Sequence, residues 1–98
     1  MYARIVHMEY NPYRCDEAVD IMQKHVVPAA RQQKGYKGFW MLVDRSSGKS
    51  FTISLWEEEK DASQTGESSQ YFHEAISHIV PLLAAEPNVE DFEIVIQE

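Results

Sequence analysis

Apolar and polar residues alternate from Tyr2 to Tyr10, with Ala3, Ile5 and His7 on one side and Tyr2, Arg4, Val6, Met8 and Tyr10 on the other. A period of two predicts a strand. Neither side is uniformly polar, so both faces are expected to be covered. Asn11-Pro12 ends the strand, because proline has no N–H to give to a ladder. From Tyr13 to Gln33 the period changes. Cys15, Ala18, Val19, Met22, Val26 and Ala29 make one apolar stripe at helical spacing. Pro28 lies inside that helix, cannot bond the Lys24 carbonyl, and predicts a kink or break near His25 to Val27. Gly35 ends the element.

Two further strands follow, Gly38 to Asp44 and Ser50 to Trp56. The turn-rich link Asp44-Arg45-Ser46-Ser47-Gly48-Lys49 between them predicts a hairpin. Phe39 to Val43 is apolar on both faces and calls for cover on both. In the second strand of the pair Phe51, Ile53 and Leu55 share one face, while Thr52, Ser54 and Trp56 share the other. The acidic stretch Glu57 to Ser69 is either a short helical turn or a mobile loop. A second helix runs from Ser68 to Ala84 on Phe72, Ile76, Ile79 and Leu83, with Pro81 late in it. A last strand, Val89 to Gln97, sets Phe92, Ile94 and Ile96 against a mostly polar face.

The order strand, helix, strand, strand, helix, strand is the ferredoxin-like βαββαβ pattern, an α+β class with a four-stranded antiparallel sheet. The chain, residues 1–98, is read as one domain of that type. Two helices cover one face of such a sheet. The other face keeps large apolar side chains, so a homodimer that buries it is expected.

The formal charge of −7, from 16 acidic against 9 basic residues, opposes phosphate backbones and anionic membrane surfaces, so neither nucleic acid nor membrane is expected as a partner. Cys15 is the single cysteine, which leaves no intrachain disulfide and no multi-cysteine zinc site. The start, Met1 to His7, has no signal-peptide character, and no stretch reaches the ~20 apolar residues of a membrane helix. The expected location is the cytoplasm. No metal-ligand spacing and no phosphate loop are recognisable, so neither metal nor cofactor is expected.

Gln32-Gln33-Lys34-Gly35-Tyr36-Lys37-Gly38, then Phe39 to Asp44, Ser54-Leu55-Trp56-Glu57 and Ser69-Gln70-Tyr71-Phe72-His73 resemble the antibiotic-biosynthesis-monooxygenase domains over nearly the whole chain. The resemblance implies a dimeric α+β barrel: helices outside, two sheets face to face, and a pocket between sheet and helices of each subunit. Some members oxygenate phenols or quinols without metal or flavin, others degrade haem, and many similar proteins have no assigned reaction. Haem-degrading members carry a ligand histidine on the second helix, a tryptophan near its start and an asparagine on the first strand. Here Ile76 falls at the ligand position, with His78 two residues on and turned about 200° away. Gln64 to Glu67 has no tryptophan, and the first strand offers His7 or Met8. Haem binding or degradation is therefore the weakest of the readings.

Of the four histidines, His73 and His78 are five apart, about 140° around a helix, and cannot form an adjacent ligand pair. Each is read first as a boundary residue. His25 sits at the expected kink, where a local backbone bond would use it. The resemblance turns the His7 face toward the pocket, where an imidazole could take the proton of a phenol; the plainer alternative is a hydrogen-bonded residue at the edge of the core. Trp56, Phe72, Tyr71 and Trp40 are candidate pocket walls or plain core. Arg4 would hold an anionic substrate or pair with an acid across the dimer. Cys15 is read as a small buried residue. The function that follows is a cofactor-independent monooxygenase of a small aromatic, phenol or quinol, with His7 as base and His78 as a second polar catalytic group. The alternative is a non-catalytic homodimer that binds a small molecule.

Overall fold

The computed structural model describes every residue from Met1 to Glu98. Four strands, β1 (Tyr2–Glu9), β2 (Tyr36–Val43), β3 (Lys49–Trp56) and β4 (Asn88–Glu93), form one antiparallel sheet in the order β2-β3-β1-β4. The helices are α1 (Cys15–Ile21), α2 (Val27–Arg31), α3 (Glu59–Gln64) and α4 (Gln70–Ile79). The architecture is the ferredoxin-like α+β arrangement that the order of elements predicts.

The first helix is not broken at Pro28. Residues Met22–Val26 join α1 to α2 as a π-helical turn, in which the Val27 N–H bonds the Met22 carbonyl, five residues back. Widening the turn keeps the backbone bonded while moving the proline ring off the preceding carbonyls. The second helix is shorter than Ser68 to Ala84. Ser69 caps it, its Oγ accepting from the Phe72 N–H at 3.0 Å. Pro81 turns its end into a 3-10 turn over Val80–Leu82. Part of the acidic stretch before it is helical, as α3, closed by a capping box between Glu58 and Asp61.

β4 also stops early. Glu93 lies opposite Tyr2, and the Ile94 N–H makes the last bond, to the Met1 carbonyl at 2.9 Å. β1 begins at that level and offers nothing further to pair. The hairpin between β2 and β3 is tied to the end of β1 by a bond from the Tyr10 N–H to the Gly48 carbonyl at 2.8 Å. Gly48 is required there: its φ is +81°, and a Cβ would lie 2.0 Å from the Tyr10 carbonyl oxygen.

Strand alternation gives the sheet two contrasting faces. Val6, Met8 and Tyr10 of β1 pack under the helices with Cys15, Ala18, Met22, Val26, Ile79 and Leu82, forming the core. On β3, however, the residues turned to the helices are Ser50, Thr52 and Ser54, all buried. Phe51, Ile53 and Leu55 point to the open side, opposite His7, Ile5 and Ala3. Trp40 and Leu42 of β2 and Phe92 of β4 join them, and Trp40 is 53% exposed. The apolar side of β3 thus faces away from the core, the reverse of an ordinary half-buried strand.

Candidate functional site

Between the helices and the hydroxyl-bearing side of β3 lies a cavity of about 40 Å³, its wall mostly apolar. β1 supplies Arg4, Val6 and Met8, the π turn Met22 and Val26, β3 Thr52 and Ser54, and α4 Tyr71, Phe72, Ala75, Ile76 and Ile79. The space holds about three waters at the volume one water needs. Met8 and Met22 are the adaptable parts of the wall, since an unbranched thioether re-packs at low cost.

Three hydroxyls interrupt this apolar lining. Ser54 Oγ accepts from the Trp56 indole N–H at 3.0 Å, which leaves the serine proton free. The Thr52 and Tyr71 hydroxyls make no hydrogen bond within the chain, and neither is sealed off as a buried orphan. Burial pushes the Tyr71 phenol up to about 12, against an opposite pull from Arg4. Tyr71 is therefore a neutral donor at ordinary pH.

Arg4 is 2% exposed, and such a buried charge persists only with full compensation. Its Nε donates to Asp91 Oδ1 at 3.0 Å and its Nη2 to Asp91 Oδ2 at 3.2 Å. Nη1 donates to the Thr65 carbonyl and hydroxyl at 2.9 and 3.1 Å, and Nη2 also to the Ala62 carbonyl. Every guanidinium N–H is used. The guanidinium also stands 5.7 Å from the Trp56 ring centroid. The acidic partner is thus in the same chain, not across a dimer, and no donor is left for an anionic ligand.

Of the residues singled out from sequence, Arg4, Tyr71 and Phe72 line the cavity. Trp56 stands behind it, fully buried and edge-on to Tyr36 and Tyr71 at 6.2 Å each. His7 and Trp40 are on the opposite face of the sheet. Arg4 and Val6 face the helices, so alternation directs His7 away from them, and the expectation that it faces the pocket is corrected. Its Nε2 lies 2.9 Å from Glu90 Oε1, and its ring meets Phe51 edge-on at 5.3 Å. His78 lies on the outer surface, where its ring stacks on His25 at 4.6 Å and 7°, so His25 bridges two helices rather than bonding locally. Parallel stacked rings direct their nitrogen lone pairs along separate planes, and no group of three or more His, Cys, Asp or Glu is placed to hold a metal. Thr52 and Ser54 were not singled out. Their signal was the side they share with Trp56, which only the buried position of that tryptophan identifies as inward.

The fold and cavity define a class: a ferredoxin-like α+β domain with one sheet face under helices, one apolar face open, and a mainly apolar pocket under the helices. Among solved structures this is the fold of antibiotic-biosynthesis-monooxygenase-like domains. A protein from Bordetella bronchiseptica, provisionally assigned as an antibiotic biosynthesis monooxygenase, superposes with a TM-score of 0.80 over 97% of this chain and 97% of its own, at 16% identity. SnoaB, a cofactor-independent oxygenase from Streptomyces nogalater, gives 0.76 over 98% and 94%, at 11% identity. A protein of unknown function from Nitrosomonas europaea gives 0.77 over 99% and 91%, at 20% identity. No family model matches the sequence, and no curated protein does. No helix is long and apolar enough to cross a membrane.

Proposed function

We propose that this protein binds a small, neutral, hydroxyl-bearing aromatic molecule, of the phenol or quinol class, between the sheet and the helices, and that it works as a homodimer. The observation that carries this reading is the pair of unpartnered hydroxyls, Thr52 and Tyr71, on an otherwise apolar wall. A phenolic ligand gives and takes a hydrogen bond there while its ring meets Phe72, Ile76 and the two methionines. A carboxylate finds no free donor on Arg4 and would enter an apolar site uncompensated. A ring larger than the cavity enters by displacing Met22. The homodimer rests on the open sheet face, whose apolar side chains would otherwise stand in water.

A second reading, oxygenation of that ligand without a cofactor, is favoured by the fold shared with SnoaB. No imidazole or carboxylate lines the pocket. Under this reading the substrate loses its proton by its own acidity, and the rate follows the substrate's ionisation. The test is a panel of phenols, quinols and matched carboxylates, measured by calorimetry and by oxygen uptake on one preparation. Binding of neutral members without uptake supports the binder, and binding with uptake supports the oxygenase. No binding across the panel overturns both.

A further inference from the structure

The cavity under the helices is smaller than an aromatic ring. A benzene ring is held by a cavity of about 150 Å³, against about 40 Å³ here, so a ring enters only if the wall gives way. What lies behind the wall decides where it gives. Met22 and Phe39 line the cavity, and the same two side chains line an open groove of about 480 Å³ along the β2 edge. They are the only residues the two spaces share. The floors also adjoin. Ser54 and Thr52 of the cavity lie opposite Phe39 and Met41 in the β2–β3 ladder, one strand spacing of about 4.8 Å away.

The groove is long and has two unlike ends. Phe39, Met41 and Val43 form its floor over about 13 Å of strand. Val19, Gln23 and Val27 form its wall over about 12 Å of helix. In an unbroken α-helix Val27 would stand about 80° around the axis from Val19. The extra residue taken up by the π turn brings it back to within about 20°, so the irregularity near Pro28 aligns the groove wall. Phe39 marks the end that meets the cavity, and Arg45 marks the other. Arg45 donates to Asp16 through Nη1 and keeps Nε and Nη2 for a ligand. Asp16 already balances its charge, and the chain carries a net −7, so a neutral carbonyl suits this end better than a carboxylate.

We propose that cavity and groove are two parts of one ligand site, joined when Met22 swings aside. The ligand is then an elongated molecule: a hydroxylated ring at Thr52 and Tyr71, an apolar body along Phe39, Met41 and Val43, and a carbonyl oxygen at Arg45. This rests on the reading that a neutral hydroxylated ring binds under the helices. The joined space falls in the range of ordinary small-molecule pockets, roughly 300–1,000 Å³, which the cavity alone does not reach.

The methionines supply the test, because each reports on a different place. Met8 lines only the cavity, Met41 only the groove, Met22 both, and Met1 neither. In the full-length protein with isotope-labelled methionine methyl groups, para-ethylphenol should shift the Met8 and Met22 resonances. para-Heptylphenol should shift Met41 as well. It should bind about thirtyfold more tightly, at about fourfold for each methylene buried and about half of the extra chain covered. Val19 lines the groove but is not packed on the core. Val19→Trp, which fills the groove, and Val19→Asp, which charges it, should each remove that gain, with circular dichroism checking the fold. The same chain ending in a carboxamide should lose about threefold or more in Arg45→Met, and para-heptylphenol should not. No shift with either phenol overturns the ring-binding reading and the joined site together. Met8 and Met22 shifting with both phenols, with Met41 still and the affinities alike, overturns the joined site alone. So does a Met41 shift without Met8, which makes the groove a separate site. A carboxamide indifferent to Arg45→Met overturns the carbonyl end. A Val19 variant that weakens a dimer in sedimentation while para-heptylphenol binds as before gives the groove to a second copy and overturns the proposal.

Discussion

Arg4 joins stretches of chain far apart in sequence, since its bonds reach Ala62, Thr65 and Asp91. Arg4→Met removes the charge and leaves three buried acceptors without their donor, while the half-exposed Asp91 turns to water, so it should cost about 2–3 kcal/mol in urea unfolding. Thr52→Val keeps the shape and removes only a hydroxyl without a partner. It should leave stability within about 1 kcal/mol and weaken binding of a neutral phenol about three- to tenfold by calorimetry. Tyr71 gives a pH dependence of known sign. Its phenol is held up to about 12 from an ordinary 10.0, so the folded chain keeps the proton more tightly than the unfolded one. The resulting stability is whole below pH 10 and is lost as pH rises from 10 toward 12. Tyr10, raised chiefly by burial, acts in the same direction. Tyr71→Phe should flatten the alkaline fall of the melting temperature in part, leaving the share due to Tyr10.

α4 carries five of the pocket side chains, and its entry depends on Ser69. Ser69→Ala strands the Phe72 N–H and should cost about 1 kcal/mol, a drop of roughly 4–8 °C in melting temperature. The existence and order of the elements were legible because their periods are distinct: two in Tyr2 to Tyr10, near 3.6 in the stripe from Cys15 to Ala29. Pro28 located the irregularity in the first helix but not its form. A proline requires that one bond be given up locally, and whether the helix kinks or widens into a π turn depends on what packs beneath it. The end of β4 was not legible, because Val89 to Gln97 alternates throughout and the limit is set by where β1 begins. The orientation of β3 was hidden for a similar reason. Alternation shows that two faces differ, yet not which is inward when both are destined for cover. Assigning His7 to the pocket failed on that ambiguity, whereas Arg4, on the other side of the same strand, lines the cavity.

At the level of the whole molecule, the open face is where a second copy would act. Trp40→Glu places a charge at its most exposed aromatic. Sedimentation should show dimer affinity weakened about 30-fold or more, as for an interface anchor worth ~2 kcal/mol, with the far-ultraviolet dichroism unchanged. The pocket lies on the other side of the sheet, so the same variant should bind ligand with nearly wild-type affinity at concentrations where it is monomeric.

The position of β1 between β3 and β4 bears on the order in which the domain folds. Arg4 lies on β1, and its carboxylate partner, Asp91, lies 87 positions further along, on β4. Until β4 pairs with β1, the guanidinium has no counter-ion and the sheet lacks an edge, so closing the core waits on a contact between distant parts of the chain. Folding of this domain is thus expected to be limited by closure of that long loop rather than by formation of its helices.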